Sequence, residues 1–397
     1  MSSPPSNGSS PKKRDEPPRA SRSPAPKHLY LPASASLEDI TTTLTSAGIP
    51  VASLSECAGC VHENECDDSD LGGGGEFGDS LGKYPARFGA DMTSRMIGSI
   101  KPYSRQVIIS TGVSNWAAEI TFESGSLASY ISSAYKSVQG KRGPLSLAMA
   151  AYQNVTEEKP SLMDTTRSGK LTVLNGSIKT VSEDHESQTV LILPDYTYVR
   201  GVRENAEDAE ELCKTRLVPT VRRAAKSQAN STRLETRPLP YDCVLLICSH
   251  KRRDNKCGIA APILERALKI VLEARGWEVH TEIEVDDSVP SFEERAKTTA
   301  MDTLEAQIAE EMKRDEGNHG FGKRALIVQT SHFGGHKFAG NLIVCSPRGT
   351  NVWYGRVSPK EIPAVVDETI IGGKIISDLL RAAVNVSEGR GRGFYDW

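Results

Sequence analysis

Two cysteines and two histidines carry the clearest chemistry in this chain. Cys248 closes the apolar run Cys243-Val-Leu-Leu-Ile-Cys248, and Cys257 follows nine positions on, so Ser249-His-Lys-Arg-Arg-Asp-Asn-Lys256 arches between two thiols. A helix opening there directs N–H groups that favour negative charge, and Lys251, Arg252, Arg253 and Lys256 add positive potential, which favours thiolates. Further on, His332 and His336 bracket Phe333-Gly-Gly, where two glycines permit a turn tight enough to face both imidazoles to one point. Two thiolates plus two imidazoles fit a tetrahedral zinc ion or a [2Fe–2S] cluster. Structural zinc usually takes its cysteines from a C-x₂₋₄-C knuckle, whereas the eight residues between Cys248 and Cys257 leave room for the larger cluster. Spacing therefore leans toward the cluster and leaves zinc open. Plain packing is the third alternative, with Cys248 a small buried hydrophobe and the histidines capping strand ends.

The elements that must position these residues have a readable rhythm. Residues 243–248 read as a buried strand, followed by a helix from near Gly258, with Pro262 in its first turn and Gly276 at its end. Leu264, Leu268 and Val271 supply its apolar face. Val279, Thr281, Ile283 and Val285 alternate as a half-buried strand, and Met301, Leu304, Ile308 and Met312 mark a helix within 292–314. Ala325-Leu-Ile-Val-Gln-Thr330 and Asn341-Leu-Ile-Val-Cys345 flank the Gly-Gly turn, and 359–367 reads as a closing helix. The order β, α, β, α, β, β, α is the thioredoxin order. Upstream, strands at 106–111 and 189–194 around a helix at 126–137 predict a second α/β domain, for which a thioredoxin-like fold is one option.

The expected organisation is an α/β chain in five parts. A disordered tail spans 1–45, whose first 27 residues hold seven Pro and seven Ser. A Cys/Gly/acid-rich flexible segment follows over 46–83, then an N-terminal α/β domain over 84–235. A thioredoxin-like domain that carries Cys248, Cys257, His332 and His336 occupies 236–385, and 386–397 is a flexible tail.

A formal net charge of -3 gives no global basic field for nucleic acid. No apolar run approaches the roughly 18 residues of a membrane span, and the N-terminus lacks the apolar core of a secretory signal. Asp15, Glu16 and the prolines oppose a mitochondrial presequence, so the cytoplasm is expected, with the mitochondrion as alternative. Eight cysteines so spread suit reduced thiols or metal ligands better than disulfides. Cys57, Cys60 and Cys66 have zinc-like or redox-like spacing, but the surrounding acids raise thiol pKa values, so they are read as reduced and unligated. Cys213, Cys243 and Cys345 are read as packing residues.

Three segments resemble the sucrase/ferredoxin-like family: Ile247-Cys248-Ser-His-Lys-Arg-Arg-Asp-Asn-Lys-Cys257-Gly-Ile-Ala-Ala-Pro262, His332-Phe-Gly-Gly-His336-Lys-Phe-Ala-Gly-Asn341, and Trp353-Tyr-Gly-Arg356-Val-Ser-Pro359. The resemblance covers roughly residues 185–397. It implies a thioredoxin-like domain binding one [2Fe–2S] cluster through Cys248, Cys257, His332 and His336. Neutral imidazoles in place of two thiolates raise the reduction potential, and their second nitrogens couple electron gain to proton uptake. The expected role is proton-coupled one-electron transfer or redox sensing, more a carrier than a catalyst with its own substrate. A zinc-stapled interaction module and a thiol oxidoreductase are the rivals, the latter weakened by the absence of C-x-x-C at the helix start. Lys337 and the 251–253 basic run suit an unidentified acidic redox partner. The terminus Tyr395-Asp396-Trp397 resembles the peptide by which some clients are recognised by the cytosolic iron–sulfur assembly targeting machinery.

Overall fold

A computed structural model describes residues 29–54, 77–141, 161–218, 233–312 and 322–387. The readings of Cys57, Cys60, Cys66, Asp396 and Trp397 fall outside these residues.

The chain is mixed α/β. Its first elements are the helix α1 (Leu37–Ser46) and the short strand β1 (Val51–Ala52). Then come β2 (Arg105–Ser110), α2 (Leu127–Lys141), β3 (Leu162–Met163), β4 (Leu171–Gly176), β5 (Ser187–Leu193), β6 (Thr197–Arg203) and α3 (Ala206–Leu212). The second half runs β7 (Glu235–Pro238), β8 (Cys243–Cys248), α4 (Asn255–Ala274), β9 (Glu278–His280), α5 (Met301–Glu311) and β10 (Arg324–Thr330). It ends with β11 (Leu342–Cys345), β12 (Asn351–Tyr354), β13 (Ile375–Ile376) and β14 (Leu380–Val384).

Among the described residues, one 12-stranded sheet joins both halves in the order β3-β14-β12-β11-β8-β10-β4-β2-β5-β6-β7, with β9 beside β10. The halves meet where Thr330 of β10 opposes Gly176 of β4. Reciprocal bonds flank that pair: Ser331 N–H donates to Asn175 O and Ser177 N–H to Gln329 O, each at 2.8 Å. A Cβ on Gly176 would lie 2.5 Å from Ile108 Cγ2, so the close approach of β4 to β2 requires glycine.

Runs apolar on consecutive residues, such as 107–109 and 244–247, make strands covered on both faces. One face carries a core common to the halves, in which Ile108, Leu174 and Leu191 share a cluster with Leu246, Val328 and Trp353. On the other face, Leu264, Leu268 and Val271 of α4 pack on Leu245 and Ile247. There, Leu127 and Ile131 of α2 pack on Val107 and Ile109. The boundary expected at 235/236 thus divides the sequence but not the packing.

Part of the expected disordered tail is folded. Ser36 and Asp39 form a capping box at α1, and Ile40 and Leu44 are buried in the core of the C-terminal half. Such a short helix needs a tertiary partner, which local composition does not announce. Likewise β1, in the segment expected to be flexible, pairs in parallel with β13. The start of the expected C-terminal tail is also held, since Leu29 N–H donates to Val386 O at 2.7 Å.

The expected helix over 292–314 is broken into a turn at Phe292–Arg295 and α5, with Thr298 and Thr299, both β-branched, in the gap. The strand expected from Val279 is limited to β9, and α5 precedes β10, leaving only a 3₁₀ turn between β10 and β11. α4 begins at Asn255, so Pro262 lies inside it rather than in its first turn.

Candidate metal centre

β8 delivers Cys248 and α4 delivers Cys257. Between them the chain turns through His250, whose carbonyl accepts from Arg253 N–H (3.1 Å) and Asp254 N–H (3.0 Å). Asp254 caps α4, its Oδ1 accepting from Lys256 N–H at 2.9 Å, so Cys257 falls in the first helical turn. Both thiols are buried.

The histidines come from the loop after β10, pinned where Ser331 joins the seam between the halves. Gly334 (φ 98) and Gly335 (φ 74) take left-handed conformations that turn the chain back, as the Phe-Gly-Gly spacing predicts. The His332 and His336 ring centroids are 5.5 Å apart, and Cys248 Sγ lies 3.9 Å from His332 Nδ1. Cys248 and Cys257 are within hydrogen-bonding reach of each other. The structure therefore brings the sequence-predicted ligands to one place, cysteines inside, His332 half-buried and His336 exposed.

Charge is unevenly shared across this cluster. The hydrogen bond from Cys257 holds the Cys248 thiol well below its ordinary range despite burial, with His332 adding to the effect. Cys257 keeps the shared proton and is pushed up. His250 is held low by burial and is fixed on both sides, with Nε2 3.1 Å from Trp116 O and Nδ1 accepting from His332 N–H at 3.2 Å. A carbonyl on one side and an N–H on the other select the Nε2–H tautomer.

Sequence reasoning missed Arg381. It is fully buried in β14, where a bulge puts Trp353 opposite Ala382 and Tyr354 opposite Leu380, leaving Arg381 as the extra residue. Its Nε donates to Ser99 Oγ (3.1 Å), and its Nη1 donates to Asn341 Oδ1 (2.7 Å) and Gly334 O (3.2 Å). The guanidinium lies 5.6 Å from the Phe338 ring centroid. Among the described residues, Nη2 is buried without a hydrogen-bond partner. Burial draws Arg381 down to about 10, still charged at neutral pH, and the Cys248 and Cys257 sulfurs work against that shift. The signal was present in Leu379-Leu-Arg-Ala-Ala-Val384, a lone charge within an apolar strand.

A second group, Glu278, His280 and Glu284, places three ligand atoms within 4.8 Å of one another. Arg324 already serves it as the cation, 3.3 Å from Glu278 and hydrogen-bonded to Glu284. This is an ion-pair network at the sheet edge.

A model of the sucrase/ferredoxin-like family matches residues 96–382, well over half of the chain. The chain belongs to that family. The sucrase/ferredoxin-like match begins far upstream of the expected residue 185, taking in both halves of the sheet and the candidate centre. Altered inheritance of mitochondria protein 32 from Debaryomyces hansenii is 32% identical over 36% of each chain. The protein of that name from Meyerozyma guilliermondii is 26% identical over 47% of this chain and 54% of its own. Actin patches distal protein 1 from Saccharomyces cerevisiae is 27% identical over 46% of each chain. The chain thus spans about half or less of the length of these relatives. No solved structure matches the chain. Among the described residues, no helix is long and apolar enough to cross a membrane.

Proposed function

We propose that Cys248, Cys257, His332 and His336 hold one [2Fe–2S] cluster, and that the protein carries single electrons or senses redox state. The observation that carries this reading is the convergence of four soft donors, with the thiols buried and the imidazoles toward solvent. A bound cluster would supply a one-electron couple. The chain's own residues do the rest: Cys248 and Cys257 anchor it in the protein interior, and His332 and His336 form the outward side for electron exchange. A proton on the second nitrogen of either imidazole would balance an added electron.

One further observation bears on the choice between a cluster and zinc. The unpartnered Nη2 of Arg381 suits a centre that brings negative charge beside the thiols. The thioredoxin-like reading is supported by the strand order β10-β8-β11-β12, in which β8 is parallel to β10 and antiparallel to β11.

Lys251, Arg252 and Lys337 are exposed around the site and fit an acidic redox partner. We place the protein in the cytosol, with the mitochondrion as alternative, and assign Tyr395-Asp396-Trp397 to recognition by the iron–sulfur assembly targeting machinery. Deleting Trp397 should lower cluster loading in cells; unchanged loading removes that assignment. The central test is iron and acid-labile sulfide content, a visible spectrum and EPR after dithionite reduction. About two irons and two sulfides per chain are expected. A colourless chain with stoichiometric zinc, unchanged by anaerobic iron–sulfur reconstitution, overturns the reading in favour of a structural staple.

A further inference from the structure

We propose that Arg381 is the built-in counter-ion of this metal centre, a fixed positive charge that favours the state holding the extra electron. The inference rests on the cluster reading above and adds a residue to it.

The fold makes room for this charge in several independent ways. The bulge between β12 and β14 singles out Arg381 from the regular ladder. Two neighbours lack side chains where one would block it: a Cβ on Gly335 would collide with the guanidinium, and one on Gly355 would come within 2.8 Å of Arg381 Cδ. Gly335 belongs to the turn between the two histidines, so the residue that lets the imidazoles converge also admits the cation. Asn341, Ser99 and the Gly334 carbonyl orient the group through three hydrogen bonds, and none of these partners carries charge. Among the described residues, no carboxylate forms a salt bridge with Arg381. A buried cation without a carboxylate is costly unless an anion faces it. Here the guanidinium lies against the turn that carries His332 and His336, touching Gly335 and donating to Gly334 O, which puts it beside the proposed centre.

At a pH high enough that no proton follows the electron onto the imidazoles, reduction lowers the charge of the centre by one, while the guanidinium keeps its proton. The attraction to Arg381 therefore strengthens on reduction, and removing the positive charge must lower the potential. Lys at the same position keeps the sign of the charge but not the planar fork.

The experiment compares full-length wild type with Arg381→Lys, Arg381→Gln and Arg381→Met. Folding is checked by circular dichroism, loading by iron and sulfide content, and potential by titration with dithionite against mediator dyes. The Gln and Met chains should shift the one-electron equilibrium at least tenfold toward the oxidised form, which is about 59 mV, with Lys between them and wild type. Neutral chains that fold but do not load, beside a Lys chain that does, also support the proposal. Loaded neutral chains with the wild-type potential overturn it while leaving the cluster reading intact. So does failure of all three variants to load, or failure of both neutral chains to fold, since the residue then acts through shape or stability. A wild type without iron and sulfide removes the cluster reading itself, and its metal content alone distinguishes that outcome.

Discussion

The strands of the two halves follow the same pairing rule. β2 is parallel to β4 and antiparallel to β5, which is antiparallel to β6; β8 is parallel to β10 and antiparallel to β11, which is antiparallel to β12. A helix follows the first strand of each set, α2 in one and α4 in the other. The residues at matching ends differ. β8 ends in Cys248 where β2 ends in Ser110, and His332 lies two positions beyond β10 where Ile178 lies two beyond β4. One pattern of strands thus supplies two equivalent places, and only one has residues able to hold a metal.

The half without ligands is used differently. The loop after β2 clasps the ligand loop of the other half: Ser114 O accepts from Ser249 Oγ (3.2 Å), Asn115 Oδ1 from Arg252 N–H (3.2 Å), and Trp116 O from His250. Its contribution is to hold a loop whose own bonding is local.

The comparison breaks most sharply at the ligands. Cys257→Ala should abolish iron and sulfide binding, while Ser110→Ala, at the matching strand end, should leave metal content unchanged and cost about 1 kcal/mol of stability. Loss of metal in the Ser110 variant would mean that the ligandless half takes a direct part in the centre.

Next in size is the shared core. Leu246→Ala and Ile108→Ala should each cost about 2–5 kcal/mol, because both side chains are fully buried in one cluster. Denaturant unfolding followed by circular dichroism and by tryptophan fluorescence should shift as one transition in either variant. Two separated transitions, with only the mutated half weakened, would show that the halves are energetically independent.

The seam itself comes third. Gly176→Ala places a Cβ against Ile108 and Val328 and should cost about 1–3 kcal/mol by overpacking. A denaturation midpoint equal to that of wild type would mean that the seam can open without penalty.

The smallest effect concerns the segment that covers the centre from the N-terminal side. Asp91 accepts from Thr93 N–H (3.0 Å) and Ser94 N–H (2.9 Å), and its N–H donates to Lys337 O (2.8 Å). A hydrogen bond from the Ser94 side chain, followed by those from the Ser94 and Thr93 N–H groups, holds its carboxyl below the ordinary range. A group with a depressed folded value contributes stability above its unfolded pKa, near 3.9, and loses it as pH falls through the folded one. Amide exchange at Thr93 and Ser94 should therefore gain protection in wild type as pH rises toward about 5 and then level off, after correction for intrinsic rates, and Asp91→Asn should remove that dependence. The same pH profile in both would assign it to another group.

The sequence by itself singled out the candidate ligands, because Cys248, Cys257, His332 and His336 stand out by residue type and lie in the segments that resemble the sucrase/ferredoxin-like family, and the glycines between the histidines allow the turn that joins them. It also determined the strands of the centre, since 243–248, 325–330 and 341–345 are apolar runs too short for helices. The position of Asp254 as a helix cap was legible for the same local reason. Tertiary structure decided everything that depends on partners distant in the chain. Ile40 and Leu44 form a helix because the C-terminal half buries them, β9 is short because only three of its residues find β10, and Gly176 is a seam only opposite Thr330. Arg381 is the extreme case: its charge was visible, but its meaning required the bulge, the two glycines and the turn of His332 and His336 to be brought around it. Local spacing fixes what a residue can do, whereas burial and facing charge are set by the whole fold.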